Sequence, residues 1–466
     1  MNYMQILPET FFVIFSLTLL LLGIVLNRRI INLLALCCLI STLIFLIFLT
    51  ENNETFLFSS LLKFNLYIRF AQGLILLVGI LIFLLLNLSK YKYKYEFSIL
   101  ILFALFGMMT LVSVNNLISF YLAFELMNIP LYILASFNKN SIYSCEAGVK
   151  YFTLSALSSC IMLYGISLLY GYTGQINFAQ LNFFVQNYQI TYGIIFGFAF
   201  ILVGLYFKLA IVPFHMWAPD VYQGAPTIVT VFFAIAPKTT FITFLIRLIN
   251  TELASIKNHI QPIFLYISTL SILVSAFGAL QQKNLKRLFA YSSISHIGFI
   301  FVSFSVFTKI GANSSLIYLI VYILTNVGLF SYFIQIDDDD CKIINLSGIG
   351  KKYPVLAFHL STLLLSMAGI PPYAGFFTKL LIFRSLINSG FITISIILII
   401  ASVISCFYYL NIIKAMYLDE ISSNNKIVHP DNFLFIITSM ISLINITFFI
   451  YIEDLYSLIH LVTKGL

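Results

Sequence analysis

The sequence predicts an all-α polytopic membrane protein of about fourteen transmembrane helices, two of them broken. Two observations carry that expectation. Of 466 residues, 61% are hydrophobic and 9% charged, whereas a water-soluble domain has roughly 45–50% apolar and 25% charged residues. The apolar residues number about 284, and each membrane-spanning helix takes about 20. A soluble enzyme, a nucleic-acid binder and a secreted disulfide scaffold are thereby excluded. The formal charge of +8 is spread along the chain, so it is sorted by membrane side and is not a patch for polyanions.

Taken in order, polar punctuation divides the chain into spans near 8–26, 30–50, 66–88, 97–113, 115–137, 147–171, 190–217, 225–248, 261–281, 285–307, 313–335, 354–386, 390–418 and 432–452. Backbone groups in lipid must be satisfied internally, so these are helices. The first run, Pro8 to Leu26, is closed by Arg28 and Arg29 with no small-residue cleavage site after it, and reads as a span, not a signal peptide. The connections are short, so 1–466 is read as a single membrane domain. An even number of spans puts both termini on one side. Fourteen basic residues, among them Arg28, Arg29, Lys139, Lys286 and Arg287, then fall in loops facing the other side; seven, among them Lys63, Arg69 and Arg247, share the side of the termini. The positive-inside rule therefore places the termini outside. Asp337–Asp340 reads as a solvated inner loop. The six cysteines form no C-x-x-C pair; they read as small buried hydrophobes, with no disulfide, zinc or iron–sulfur framework.

Four basic residues remain within spans or at their breaks: Lys150, Lys208, Lys238 and Lys379. An ammonium in hydrocarbon costs at least about 2.5–3.5 kcal/mol, a loss tolerated where the group faces a hydrated interior. Burial lowers a lysine's pKa and a nearby carboxylate raises it again, so lysines with a movable carboxylate partner form a proton path. Glu125, in FYLAFELMNIPLYIL, is the acidic partner this pattern offers, because Asp and Glu are otherwise nearly absent from the spans. Lys150, near a span end, also fits a snorkelling side chain.

The two breaks lie beside lysines. Pro213 follows Lys208 by five residues, and Gly369, Pro371, Pro372 and Gly375 precede Lys379. Interrupted helices at membrane depth line cavities and offer their ends to ions. His215 reads as a brace at the first break, while His296, in SSISHIGF, reads as a relay member or a hydrogen-bonded structural group. Lys208 to Lys379 and Glu125 to His296 are both 171 residues apart, as two five-helix units would give.

These residues resemble a known family. FKLAIVPFHMWAPDVYQGAPT (207–227), NLKRLFAYSSISHIGF (284–299) and AGIPPYAGFFTK (368–379) are similar to the antiporter-like, proton-translocating subunits of respiratory complex I, the NADH:ubiquinone oxidoreductase. EAGVKYFTLSALSS (146–159) and YYLNIIKAMY (408–417) agree, and the resemblance covers residues 8–452. It implies two inverted five-helix repeats (96–250 and 260–420), preceded by three helices (1–95) and followed by a last helix and tail (430–466). By resemblance Glu125 and Lys208 are the fifth-helix and seventh-helix pair, Lys238 the central eighth-helix lysine, Lys379 the twelfth-helix lysine and Lys150 a modulating sixth-helix lysine; His296 holds a relay position.

The resemblance further implies a chain without redox cofactors, with NADH, FMN, iron–sulfur clusters and ubiquinone held by partner subunits. The expected partners are other membrane-arm subunits and lipids, with no nucleic acid. Asp337–Asp340 lies outside the family pattern, and the chain ends without the long lateral helix of the largest member. The Phe-rich, A+T-like composition suggests a mitochondrial inner membrane, with a bacterial cytoplasmic membrane as the alternative. A cation/proton antiporter without a redox partner and a structural filler of the arm are the rival readings.

Overall fold

The structure is a computed structural model describing residues 3–49, 54–89, 93–188, 191–252, 254–336, 341–420 and 431–465. Asp337–Asp340 lies outside the described residues. The N-terminal set is α1 (Leu7–Leu22), α2 (Arg28–Phe48) and α3 (Leu66–Leu88). Then follow α4 (Tyr95–Ser113), α5 (Leu117–Ala135) and α6 (Ile142–Thr173), with α7 (Phe178–Asn187) in the next connection. The first broken helix is α8 (Tyr192–Leu209) with α9 (Trp217–Gly224), and α10 (Thr227–Arg247) comes after it. Next are α11 (Lys257–Leu280), α12 (Leu285–Ser305), α13 (Lys309–Phe333) and the short α14 (Ile349–Lys352). The second broken helix is α15 (Pro354–Ala368) with α16 (Ala374–Asn388), and α17 (Ile392–Tyr417) and α18 (Asn432–Thr463) end the chain.

Thirteen helices of the described residues are long and apolar enough to cross a membrane. With α15, too short alone but continued by α16, they make the fourteen crossings that the sequence predicts. Their ends are closed locally: the side chains of Asn65, Asn116, Asn284 and Thr308 each accept a backbone N–H at the start of a helix. In lipid such a cap removes donors that no water would reach.

The interior is set by which helices are enclosed. All 21 residues of α10 are buried, and α12 and α13 are nearly so. By contrast, α1, α2, α17 and α18 turn broad apolar faces outward, with Leu21, Ile47, Phe407 and Met440 exposed. Between helices the driving force is close packing of small residues: a Cβ on Gly165 of α6 would stand 2.7 Å from the carbonyl oxygen of Gly197 on α8.

Three charges sit differently from the sequence expectation. Arg69, Arg247 and Lys286, expected in loops, are buried at the ends of α3, α10 and α12. Arg69 donates to Glu9 at 2.8 Å and to Gln72 at 3.0 Å. Arg247 donates to the carbonyls of Val112 and Val114 and pairs with Glu252 at 3.3 Å. Span ends can hide a guanidinium whenever neighbouring helices supply acceptors, and Glu9, Val112 and Val114 are remote in sequence from the arginines they serve. Three cysteines, Cys37, Cys145 and Cys160, are likewise exposed where burial was expected. The connection after α2 also holds a feature the sequence reading missed, a hairpin of β1 (Thr55–Leu57) and β2 (Leu62–Phe64) pairing Thr55 with Phe64.

Candidate functional site

Lys208 occupies the last turn of α8 and is 2% exposed. Its Nζ donates to the Tyr151 hydroxyl at 3.1 Å. Around it stand the faces of Tyr151, Tyr132 and Phe124, with Nζ 4.5, 5.2 and 5.7 Å from the ring centroids. Such faces attract a cation, and most strongly where water is excluded. Glu125, half-buried one helix away on α5, accepts from Asn128 at 3.5 Å. Tyr151, not this carboxylate, is the hydrogen-bond partner of Lys208. The expected pair is therefore a neighbourhood and not a closed salt bridge.

Lys238 lies at the centre of α10, directly after Pro237, and is 1% exposed. A proline within a helix removes one rung of the backbone ladder. Nearby, Tyr322 of α13 donates to the Ala234 carbonyl at 3.2 Å. The ammonium of Lys238 finds no hydrogen-bond partner among the described residues; the face of Tyr222, 5.7 Å away, is its nearest aromatic support. An unpartnered buried ammonium is expensive, so this group needs water or a moving partner.

His296, on α12, continues the polar line. Its Nδ1 shares a hydrogen bond with Tyr318 at 2.7 Å and its Nε2 one with Tyr409 at 2.9 Å. Tyr409 is bonded in turn to Ser292 at 2.5 Å. Both ring nitrogens thus meet hydroxyls that can donate or accept, which is the chemistry of a relay. Lys379, on α16, donates to the Ala368 carbonyl at 2.7 Å, and the ring of Phe299 stands 5.2 Å away.

The two breaks are where the sequence puts them. Pro213 follows a cis bond from Val212, and Pro372 follows one from Pro371. His215 is buried within the first break, and its Nδ1 finds no hydrogen-bond partner among the described residues. Pro371 and Pro372 are exposed at the second. Lys150 separates from the other lysines. It sits near the start of α6 with a side chain 40% exposed, paired with Glu146 and Asp220 at 2.7 Å each. The snorkelling reading describes it better than a mid-membrane station does.

Sequence reasoning missed the tyrosines. Tyr151 and Tyr322 are 171 residues apart, as are Lys238 and Tyr409, the separation already seen for Lys208 with Lys379 and Glu125 with His296. Four site positions in the first half thus have polar counterparts at one offset in the second. That signal was available in the sequence. It was hidden by the abundance of tyrosine.

The family described as "NADH:quinone oxidoreductase/Mrp antiporter, TM" matches residues 114–405. The "NADH-quinone oxidoreductase subunit N" of Wolbachia sp. subsp. Brugia malayi is 70% identical over 467 residues, covering 100% of each chain. This chain belongs to the subunit N family. The subunit N of Paramagnetospirillum magneticum is 38% identical, covering 90% of this chain and 89% of its own. Among solved structures, a chain of respiratory complex I from Thermus thermophilus with bound aureothin superposes with a TM-score of 0.81 at 28% identity, covering 96% of this chain and 99% of that one. A chain of the Mrp complex from Dietzia sp. shares the fold, with a TM-score of 0.88 at 19% identity over 100% of this chain and 98% of that one. As a subunit N family member the chain is an antiporter-like, multi-pass membrane subunit.

Proposed function

We propose that this chain translocates protons across a bacterial cytoplasmic membrane as the subunit N of an NADH-quinone oxidoreductase. The observation that carries the proposal is that Lys208, Lys238 and Lys379 are all buried on broken or proline-bearing helices around the enclosed centre. A lipid-facing structural filler has no use for three such costly groups. Bacterial relatives support the bacterial alternative over the mitochondrial one that composition suggested.

In this reading Lys208 takes a proton from the inner side while Glu125 and the Tyr151 hydroxyl stabilise its charge. Lys238 receives the proton through water, and His296 with Tyr318 and Tyr409 connects it to Lys379. Lys379 delivers the proton or couples to the neighbouring subunit. Two five-helix units, 96–250 and 260–420, supply the two halves of the path, and the shared 171-residue offset supports that division. Electron transfer from NADH to quinone proceeds on FMN, iron–sulfur clusters and quinone held by partner subunits, so this chain carries no redox cofactor. Other membrane-arm subunits and lipids cover its broad apolar faces.

The test is Lys208→Ala in the assembled complex, reading protons moved per electron in sealed vesicles. The ratio falls if the proposal holds, and an unchanged ratio overturns it. Co-purification with NADH-oxidising activity separates this reading from an antiporter without a redox partner.

A further inference from the structure

At the end of the molecule that the positive-inside reading turns inward, a cavity of about 110 Å³ is walled by Tyr143, Glu146 and Lys150 of α6, Asp220 and Gln223 of α9, and Arg287 of α12. Asp220 joins the three helices. Its Oδ2 accepts from Lys150 Nζ at 2.7 Å and its Oδ1 from Arg287 Nη1 at 2.7 Å. Arg287 also donates to Gln223 at 3.1 Å and to Gln282 at 3.2 Å. Beside it, Lys286 donates at 3.0 Å to the carbonyl of Ala225, where α9 ends.

The rest of the segment is held by packing, with Trp217, Ala218, Pro219, Val221 and Tyr222 buried, so the ion pairs at Asp220 are its solvent-accessible fastening. α9 has eight residues, with the break of 210–216 before it and Ala225–Pro226 after it. Its other end touches the Lys208 station. Trp217 Nε1 donates to the Phe207 carbonyl at 2.8 Å, and the Trp217 ring stacks on Tyr151 at 4.8 Å. Tyr151 is the residue after Lys150 and the partner of Lys208. A shift of α9 at Asp220 therefore moves the groups that enclose Lys208. The ion pairs are about one-third exposed, and such pairs exchange readily because water competes for both partners. That makes them suited to opening.

We propose that the Lys150–Asp220–Arg287 cluster is the inner gate of Lys208. Asp220 is a positioning residue: while doubly paired it holds α9 across the inner mouth, and its release admits water to Lys208. The inference rests on reading Lys208 as a proton-carrying station and deepens it.

The test uses the complete complex in sealed vesicles, with two readouts: protons moved per electron during turnover, and passive decay of a pH gradient without NADH. Asp220→Asn is expected to lower the ratio and to speed the decay several-fold. Asp220→Glu restores both, and adding Lys208→Ala to Asp220→Asn returns the decay to the unmodified rate, because the leak runs through Lys208. A structural role for Asp220 predicts no such cancellation. The gate is overturned if Asp220→Asn leaves both readouts unchanged, or if the double variant leaks as fast as the single one. Should Asp220→Asn fail to assemble, Arg287→Gln is judged by the same outcomes. If Lys208→Ala alone leaves the ratio unchanged, the station itself fails; if Lys208→Ala lowers it and Asp220→Asn changes neither readout, only the gate fails.

Discussion

The two broken helices solve one problem in opposite ways. Each begins its break with a residue in the left-handed conformation, Ala210 at φ 56° and Gly369 at φ 86°. Each break strands carbonyls of the preceding helix, and those acceptors need donors. At the first, the Phe207 carbonyl accepts from the Ala210 N–H at 3.0 Å and from the Trp217 indole at 2.8 Å, while Lys208 donates to a side chain, the Tyr151 hydroxyl. At the second, the ammonium of Lys379 itself serves the Ala368 carbonyl, where the helix dipole also favours a cation. Lys208 lies upstream of its break and Lys379 downstream. The first lysine is thus surrounded by side chains able to move, and the second is moored to backbone. The first station is oriented by its side-chain neighbours, whereas the second is oriented by backbone.

The largest effect that tests this contrast is Lys208→Ala. Removing a positioned proton-transfer group costs roughly 100-fold or more, so pumping through this chain falls by about that factor; vesicle acidification per NADH oxidised measures it. Gly375→Ala attacks the second break. A Cβ there would lie 1.7 Å from the Ser366 carbonyl oxygen, and the backbone shift needed should cost about 3 kcal/mol, seen as a lower melting temperature of the complex.

Tyr151→Phe removes the hydroxyl from Lys208 and keeps the ring stacked on Trp217. A hydrogen bond to a charged group is worth roughly 1.5 kcal/mol, so the proton-transfer rate should drop about tenfold without loss of assembly. The smallest pair compares the two left-handed residues. Ala210→Gly should stabilise by about 0.5–1 kcal/mol, and Gly369→Ala should destabilise by about 1–2 kcal/mol. In the second case a new Cβ would also stand 2.7 Å from the Lys379 stem. Equal shifts of the same sign in both variants would erase the distinction between the breaks.

The parts of the fold that the sequence made legible are those that lipid enforces. A span needs an unbroken apolar run, so fourteen crossings can be read from polar punctuation. Lys208, Lys238 and Lys379 stand out because an ammonium contrasts with everything around it, and Pro213 and Pro372 mark the breaks because proline cannot complete the ladder. Tyr151, Tyr318 and Tyr409 offered no such contrast among 28 tyrosines, although they make the hydrogen bonds that give the lysines and His296 their settings. Asp220 was overlooked for another reason: its partners Lys150 and Arg287 lie about 70 residues away on either side. Arg69 and Arg247 looked like loop charges because a span end and a loop have the same local sequence.

The account's central claim is that an ammonium without a hydrogen-bond partner among the described residues, at the centre of the most enclosed helix, passes protons between the two halves. Lys238→Ala in the assembled complex, measured as protons moved per electron in sealed vesicles, addresses it most directly. The account predicts a lower ratio with NADH oxidation still running. An undiminished ratio would contradict it.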